Sequence, residues 1–249
     1  YDNPKDGKNK WKNRKDLVMV FILTLQPDLL AVQEALPGQL DYLKPILAPT
    51  FAYKGAGRND GDSQGEHCGF FYKTDRLELI DFSVKWLSET PEIPSVGWDA
   101  SMERIAVWAL FKDRQNNKQF HALNTHFDHR GKVARIKSAE YLANWVYLLG
   151  FENHPIVLMG DFNDDPESEM YQRINGFIPD TRTIAKKVSG PPGTFHGFEA
   201  DHPLDKAIDF VFAKGFKVEH HFTTAPLKKP PFRSDHLPVG AVLKWKSMR

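Results

Sequence analysis

The chain has 249 residues, 41% of them hydrophobic, which is enough for one large core without a second domain. Its 33 lysine and arginine residues nearly balance its 32 aspartate and glutamate residues, which excludes a strongly basic nucleic-acid binder and an acidic tail. The single cysteine, Cys68, excludes an intrachain disulfide and is too little for a structural zinc site.

The first quarter of the chain predicts two helices on either side of a short strand. Apolar residues recur at three-to-four-residue spacing over residues 13–26, which indicates a helix. Residues 28–34 form a brief apolar run between turn signals and are typical of a buried strand. A proline opens a second helix at residues 37–47, and residues 54–66 are rich enough in Gly, Asp and Asn to predict a loop.

The middle of the chain predicts consecutive strands followed by one clear helix. The strands are residues 67–73, 77–87, 104–112 and 119–127. Residues 131–149 keep one helix face apolar, and Gly150 stands where a C-cap residue would.

The last third predicts a buried strand at residues 155–160 and a short helix at 166–174 that opens on a proline. Three closing strands follow, at residues 206–213, 217–225 and 238–245. Strands predominate and come in hairpins, which favours packed β-sheets with helices outside them, as one α/β domain over residues 1–249.

Polar and charged residues lie at the ends of several strands that the sequence predicts to be buried, or inside them. They are Glu34, His126, Asp161, Asn163, Asp209, Asp235 and His236. Turn chemistry alone accounts for acids and amides at strand ends, because Asp and Asn are favoured turn residues. Asp209 differs, because a carboxylate inside the apolar run AIDFVF needs a partner or a metal.

The spacing of Asp161 and Asn163 strengthens a functional interpretation. If the chain stays extended after Gly160, both side chains point to the same side. Hard cations such as Mg²⁺ take oxygen ligands from one or two carboxylates, often together with substrate phosphate. Histidines nearby would hold a phosphate or act in proton transfer, as His126 and His236 could.

Motifs in a fixed order connect these strand ends to a known family. The chain carries LLAVQE, NTHFDH, MGDFND, AIDFVF and RSDHLP, and it resembles the endonuclease/exonuclease/phosphatase superfamily, whose fold deoxyribonuclease I shares. The stretch PGTFHGF at residues 192–198 and the THFDH form most resemble the nocturnin/deadenylase-like branch and its bacterial relatives. The resemblance implies a four-layer α/β/β/α sandwich of two mixed β-sheets flanked by helices, with the site at one edge of both sheets.

The resemblance also implies roles for the metal-side and water-side groups. Glu34 resembles the family's metal-binding glutamate, and Asp235 a second metal-side carboxylate. The metal expected there is Mg²⁺ or Mn²⁺. Asp161 resembles the aspartate that positions or deprotonates the attacking water, and Asn163 the amide that holds a phosphate oxygen.

The two histidines have implied roles as phosphate contacts. His236 resembles the phosphate-contacting histidine that pairs with a carboxylate, here Asp209. His126 resembles the other phosphate histidine, and its carboxylate partner in some relatives matches Glu66. An ordinary loop glutamate is the alternative for Glu66.

Three further residues are candidates for substrate contact. Arg104 matches a common family arginine that pairs a site acid or touches substrate; a surface arginine at a strand end is the alternative. Phe195 and His196 could shape the substrate pocket, or could be packed loop aromatics.

One departure from the family's pattern concerns the start of the chain. Relatives carry an asparagine on a first strand, whereas this chain begins at Tyr1 and Asn3 lies in a polar stretch. The expectation is therefore a single domain that lacks the family's first strand and its asparagine.

The leading hypothesis is a divalent-metal-dependent phosphoester hydrolase that acts on a phosphodiester, as a nuclease or a phosphatase. A phosphatase for a sugar, inositol or lipid phosphate is an alternative, and so is a non-catalytic phosphate- or ligand-binding module. A net charge of +1 does not favour a long polyanion such as nucleic acid. We expect a monomer. We also expect no membrane span, because the longest apolar run, residues 17–23, is too short to cross a bilayer. No signal peptide is visible, so the compartment is open, with export as the expectation if the N terminus is processed.

Overall fold

The computed structural model describes residues 2–148, 150 and 154–246. The helices are a 3₁₀-helix at Pro4–Asn9, α1 Trp11–Leu25, α2 Pro37–Leu47, α3 Lys132–Leu148, α4 Glu169–Phe177 and α5 Thr181–Ile184. The strands are β1 Leu29–Ala35, β2 Phe51–Gly57, β3 His67–Lys73, β4 Leu77–Trp86, β5 Ile105–Asp113, β6 Gln119–His126, β7 Ile156–Asp161, β8 Val188–Ser189, β9 Asp209–Lys214, β10 Phe216–Thr223 and β11 Val239–Trp245.

A five-stranded sheet of order β4-β5-β6-β7-β9 forms one of the two middle layers. Its strands β6 and β7 run parallel, and its other neighbours run antiparallel. The other middle layer contains two three-stranded sheets, β1-β3-β2 and β11-β10-β8. Apolar side chains fill the space between the layers, among them Phe70, Val107, Phe111 and Phe216.

Helices cover the outer faces of both middle layers. Leu142 of α3 and Ile174 of α4 pack against Leu158 of the five-stranded sheet. On the opposite side, Leu40 of α2 packs in one cluster with Phe71 of β3. Successive residues of a strand face opposite ways. In β3, Phe71 therefore points to the helices, whereas Phe70 points between the sheets. The expectation of an α/β/β/α sandwich is confirmed.

Most predicted elements are confirmed within a few residues, but the loop predicted at 54–66 is wrong at its start. Residues 54–57 belong to β2, which pairs with β3 along its length. Gly55 lies opposite Gly69, and Tyr53 lies over both glycines, where a Cβ would collide with its ring or hydroxyl. Gly55, which indicated a loop, therefore allows close packing within a sheet.

Other differences lie at element ends. The helix predicted from Pro166 begins at Glu169, because the Ser168 hydroxyl caps it by accepting a hydrogen bond from the Tyr171 N–H. The polar N-terminal stretch forms the 3₁₀-helix, which the Asn3 side chain caps. The prediction for α3 reached Leu149, which lies outside the described residues.

Each of the three sheets has two edge strands in the described part of the chain, and β1 and β11 are among them. β1 pairs with β3 alone, and β11 with β10 alone. Every open sheet has such edges, so the absence of the family's first strand stays a prediction. Within the same described ranges, every helix is too short or too polar to cross a membrane.

His121, in β6, makes the stability of the fold sensitive to acid. Its ring is 6% exposed, stacks on Trp108 and accepts a hydrogen bond at Nδ1 from the Trp108 indole N–H at 3.1 Å. Burial, and then the neighbouring His154, lower the pKa of His121 to about 4. Protonation at Nδ1 would remove the acceptor that Trp108 uses.

We expect the free energy of unfolding to fall as pH decreases from about 6.5 to about 4, because the unfolded imidazole takes up a proton before the folded one does. The slope from this group is at most about 1.4 kcal/mol per pH unit. Urea unfolding at several pH values should show a smaller slope for His121→Gln. The slope should not vanish, because burial lowers the pKa of His221 to about 4 as well. Equal slopes for variant and wild type would contradict the assignment.

Candidate active site

Three neighbouring strands of the five-stranded sheet bring polar groups to one edge. β6 and β7 are parallel, with His126 paired to Asp161, and Asp161 is in turn paired to Asp209 at the start of antiparallel β9. Gly160 allows this close pairing, because a Cβ there would collide with the carbonyl oxygen of Thr125. The predicted convergence of these strand ends is therefore what the fold produces.

The other middle layer supplies Glu34 and His236 to the same edge. Glu34 lies at an irregularity in β1, between Val32 and Ala35, and its φ is +57°, in the left-handed region. Such a conformation is disfavoured for a residue with a side chain and is common at functional sites. His236 precedes β11 and is held by a bridge to Phe195.

Asp161 lies at the centre of this group. Its Oδ2 is 3.4 Å from His126 Nε2 and 3.9 Å from His236 Nε2. His126 Nε2 is also 3.8 Å from Glu34 Oε1. His236 Nδ1 lies 2.9 Å from Asp209 Oδ2, to which it donates when protonated there.

Two sets of side chains in the described residues have donor atoms close enough to share a cation. All donor atoms of a set lie within 4.8 Å of one another, and the sets are Glu34, Glu66 and His126, and Asp161, Asp209 and His236. Carboxylate oxygens dominate both sets, which suits Mg²⁺ or Mn²⁺. The donor chemistry of the site therefore fits the divalent ion that the sequence predicted.

Glu66 lies in the same set as His126, the histidine that it was expected to partner, whereas Asp235 lies in neither set. Glu66 stands beside Glu34 in the first set, and its Oε2 is 2.7 Å from Arg58 Nη1. Asp235 belongs to neither set, although its charge contributes to raising the pKa of Glu34. Glu66 is therefore the carboxylate that the fold places next to Glu34.

The two site histidines have opposite electrostatic surroundings. Burial opposes a charge on His236, but the carboxylates of Asp209 and Asp161 more than offset it and hold its pKa well above the ordinary value. Burial lowers the pKa of His126 well below the ordinary value, and the positive charge of Arg104 lowers it further. The surroundings therefore favour the protonated form of His236 and the neutral form of His126.

The carboxylates of the site are crowded, and their pKa values reflect this. Burial, followed by the charge of Asp209, raises the pKa of Asp161 to about 7. Partial burial and the charge of Glu66 raise the pKa of Glu34. A divalent cation would relieve this repulsion.

Asn163 is fixed beside Asp161 by its own backbone and side chain. Its φ is +51°, its N–H donates to Asp161 Oδ1 at 2.8 Å, and its Nδ2 donates to the Phe127 carbonyl at 2.9 Å. The chain therefore turns at Asn163, and the extended backbone on which the same-side prediction for Asp161 and Asn163 depended is wrong.

Arg104 is buried next to the site, so the alternative of a surface arginine is wrong. It is 5% exposed, its Nε is 3.5 Å from Asp128 Oδ2, and its Nη2 is 3.1 Å from His129 Nδ1. It also lines a small cavity together with Glu34 and His126.

Phe195 and His196 occupy different environments. The Phe195 ring meets the His236 ring edge-on, with centroids 5.0 Å apart. His196 is 2% exposed and packs edge-on against Phe232, and its backbone N–H donates to the Asp235 carbonyl. His196 therefore supports the segment before β11, whereas Phe195 borders the site.

Sequence reasoning assigned no role to Asp128, which organises one wall of the site. Its carboxylate accepts hydrogen bonds from Ser101, from the backbone N–H groups of Arg130 and Gly131, and from Arg104. Burial alone would raise the pKa of Asp128, but these donors hold it well below the usual range. The position of Asp128 in the THFDH motif is the sequence signal that could have identified it.

Comparison with known proteins places this site in a family. A sequence profile of the Endonuclease/Exonuclease/phosphatase family matches residues 5–236. The chain belongs to this family. Members of the endonuclease/exonuclease/phosphatase family hydrolyse phosphoesters, and the chain is therefore a phosphoester hydrolase.

Relatives of this family member include viral and animal proteins. Uncharacterized protein L388 of Acanthamoeba polyphaga mimivirus is 31% identical over 255 residues, which cover 94% of this chain and 92% of the viral protein. Human nocturnin is 25% identical over 223 residues, which cover 82% of this chain and 49% of nocturnin. The resemblance to the nocturnin-like branch is thus confirmed, and the chain spans about half the length of human nocturnin.

Solved structures of the endonuclease/exonuclease/phosphatase family match the whole described fold. An endonuclease/exonuclease/phosphatase from Bacteroides vulgatus has a TM-score of 0.93 and 38% identity, with 99% of this chain and 95% of that chain covered. The mannosyl-6-phosphatase Bt3783 of Bacteroides thetaiotaomicron has a TM-score of 0.90 and 32% identity, with 98% and 96% covered. The catalytic domain of human nocturnin, at 19% identity and a TM-score of 0.75, with 96% and 89% covered, shows the fold alone.

The pairing of His236 with Asp209 predicts a measurable change in titration. Asp209→Asn should lower the pKa of His236 by more than about one pH unit, because burial then acts with less opposing charge. Histidine ring resonances followed by NMR in the metal-free protein would measure this change. Asp235→Asn is the matched control and should shift the pKa of His236 less, since Asp235 contributes less to it than Asp209 does. A larger shift in the control would contradict the pairing.

Proposed function

We propose that the chain is a divalent-metal-dependent phosphatase that hydrolyses the phosphoester of a small phosphorylated sugar. The observation that carries the proposal is the position of Asp161 between a cationic and a neutral histidine, with its pKa raised to about 7. A carboxylate tuned to neutral pH, beside groups suited to an anion, is typical of hydrolytic sites.

Glu34 is the proposed principal ligand of Mg²⁺ or Mn²⁺, with Glu66 and His126 beside it. When bound, the ion neutralises charge on the phosphoryl group and lowers the pKa of water. Asp235, proposed from sequence as a second ligand, adds its negative charge to the same region.

Asp161 is the proposed general base. With a pKa of about 7 it is about half deprotonated in neutral solution, and in that form it can accept the proton of the attacking water. Its contact with the Asn163 N–H fixes the orientation of the carboxylate, because Oδ1 is engaged and Oδ2 faces the two histidines.

His236, His126 and Asn163 are the proposed phosphate clamp. His236 is oriented by Asp209 through Nδ1, so that its Nε2–H donates to a phosphate oxygen as a charge-assisted hydrogen bond. Arg104, held by Asp128, adds a second fixed cation at the neighbouring wall. These groups stabilise a transition state whose charge develops where they already point.

The choice of a sugar phosphate rests on the relatives and on charge. The mannosyl-6-phosphatase Bt3783 aligns over nearly the full length of both chains at 32% identity, which is closer than the nocturnin match. A net charge of +1 provides no extended field for a polynucleotide. Phe195, beside His236, offers an aromatic surface against which a sugar ring could pack.

Replacement of Asp161 tests the proposed base. Asp161→Asn should lower kcat for phosphate release from mannose 6-phosphate by roughly 10²- to 10⁴-fold, because the amide cannot take the proton. Asp165→Asn is a matched control directly after the same motif, since Asp165 pairs with Lys206 at the surface. Unchanged turnover of Asp161→Asn would end the assignment. Oligonucleotides, inositol phosphates and phospholipids assayed in parallel would identify a different substrate class.

Calorimetric titration tests the metal site without an activity assay. Glu34→Gln should weaken binding of Mn²⁺ or Mg²⁺ about tenfold or more, because a full ligand charge is removed while side-chain volume is kept. Glu92→Gln, at an exposed position paired with Lys85, is the control and should bind the ion as wild type does. Equal affinity in wild type and Glu34→Gln would rule out Glu34 as a ligand.

A further inference from the structure

Two loops that leave neighbouring parallel strands carry groups of the active site. The first loop, residues 127–131, follows β6, and the second loop, residues 162–166, follows β7. The Phe127 N–H donates to the Asp161 carbonyl at 2.9 Å, and the Asn163 amide donates to the Phe127 carbonyl at 2.9 Å. The position of each loop therefore depends on the other.

Arg135 holds both loops from the side of α3. Its Nε donates to Asp164 Oδ2 at 2.9 Å, and its Nη1 donates to the Asp128 carbonyl at 3.0 Å. The side chain is 12% exposed, so these contacts are made largely away from water. A planar guanidinium can satisfy two acceptors at fixed angles, which an ammonium group does less well.

The second loop needs such a restraint because of the backbone at Asn163. A φ of +51° is disfavoured for a residue with a Cβ, and it persists only where the surroundings impose it. Asp164 is the next residue, so its contact with Arg135 fixes the backbone directly after the strained position. The Asn163 amide bond to Phe127 fixes the side chain.

The contact of Arg135 with the Asp128 carbonyl also bears on the position of Arg104. The Asp128 carbonyl accepts from Arg135, while the Asp128 carboxylate accepts from Arg104 and Ser101. The residue that orients Arg104 is thus itself held by Arg135.

We propose that Arg135 is a positioning residue that, through Asp164 and Asp128, keeps Asn163 and Arg104 in the geometry needed for the transition state. The inference rests on the proposed function for its effect on catalysis. Arg135 acts through its neighbours and touches neither the substrate nor the reacting atoms.

Steady-state kinetics with mannose 6-phosphate and Mn²⁺ test the proposal. Arg135→Met should lower kcat about 10- to 100-fold with KM changed less than about threefold, since small misplacements of transition-state groups have effects of this size. Arg135→Lys should recover only part of the loss, because one ammonium group cannot span both acceptors in the same way. Added guanidinium ion should partly restore kcat of Arg135→Ala.

Arg173→Met is the matched control for loss of an arginine that bridges elements. Arg173, on α4, pairs with Glu140 and Glu169 at the surface. It should keep wild-type kcat. An Arg135→Met protein that keeps wild-type kcat, or in which KM alone rises, overturns the proposal.

Hydrogen exchange read by mass spectrometry separates this proposal from the proposed function. Exchange over residues 161–166 should quicken in Arg135→Met and not in Arg173→Met, at a temperature where both remain folded. Unchanged exchange over residues 161–166 in Arg135→Met would overturn the proposal that Arg135 restrains the two loops, whatever the activity of the variant. If wild type hydrolyses no sugar phosphate while exchange changes as expected, the proposed function fails and Arg135 stands as a structural restraint on the two loops.

Discussion

The parallel pairing of β6 with β7 decides where the candidate active site lies. In a sheet whose other neighbours are antiparallel, these two strands end at the same edge, and the register puts His126 directly beside Asp161. β9 then runs back from that edge, so its first residue, Asp209, joins them. Side chains from distant parts of the chain meet because of this arrangement, and the loops that follow β6 and β7 are held together by shared hydrogen bonds.

Electrostatics at this edge follows from crowding and burial. Four carboxylates, those of Glu34, Glu66, Asp161 and Asp209, stand in two adjoining sets with a histidine in each. Where negative charge dominates, around His236, the imidazole is kept protonated. Where Arg104 and burial dominate, around His126, it is kept neutral. Two residues of one type thus acquire different chemical properties from surroundings only a few ångströms apart.

Much of this architecture could be predicted from the sequence, because short apolar runs and helical periodicity report burial directly. The bounds of α2 and β3 were predicted to the residue. The end of β2, residues 54–57, was assigned to a loop, because Gly55 supports loop composition and close packing of strands equally well. Local patterns cannot distinguish the two without knowing that Tyr53 lies across the glycines.

The site was predicted only in part, because sequence patterns show which residues end a strand but not which strand ends meet. Polar residues at strand ends identified Glu34, Asp161 and His236, which lie together at one edge. Three-dimensional proximity was not accessible, so the position of Glu66 beside Glu34 was not predicted. The roles of these residues in catalysis stay predictions.

The left-handed backbone at Glu34 has an evolutionary consequence. Glycine would occupy this conformation without a steric penalty, so the glutamate persists at a position where the fold alone would favour a residue with no side chain. If Glu34 holds the metal ion as proposed, stability and activity oppose each other at this position. A lineage released from selection for activity would be free to exchange the carboxylate for a more relaxed main chain, and the first trace of a lost enzyme in this fold would be a glycine in the place of that acid.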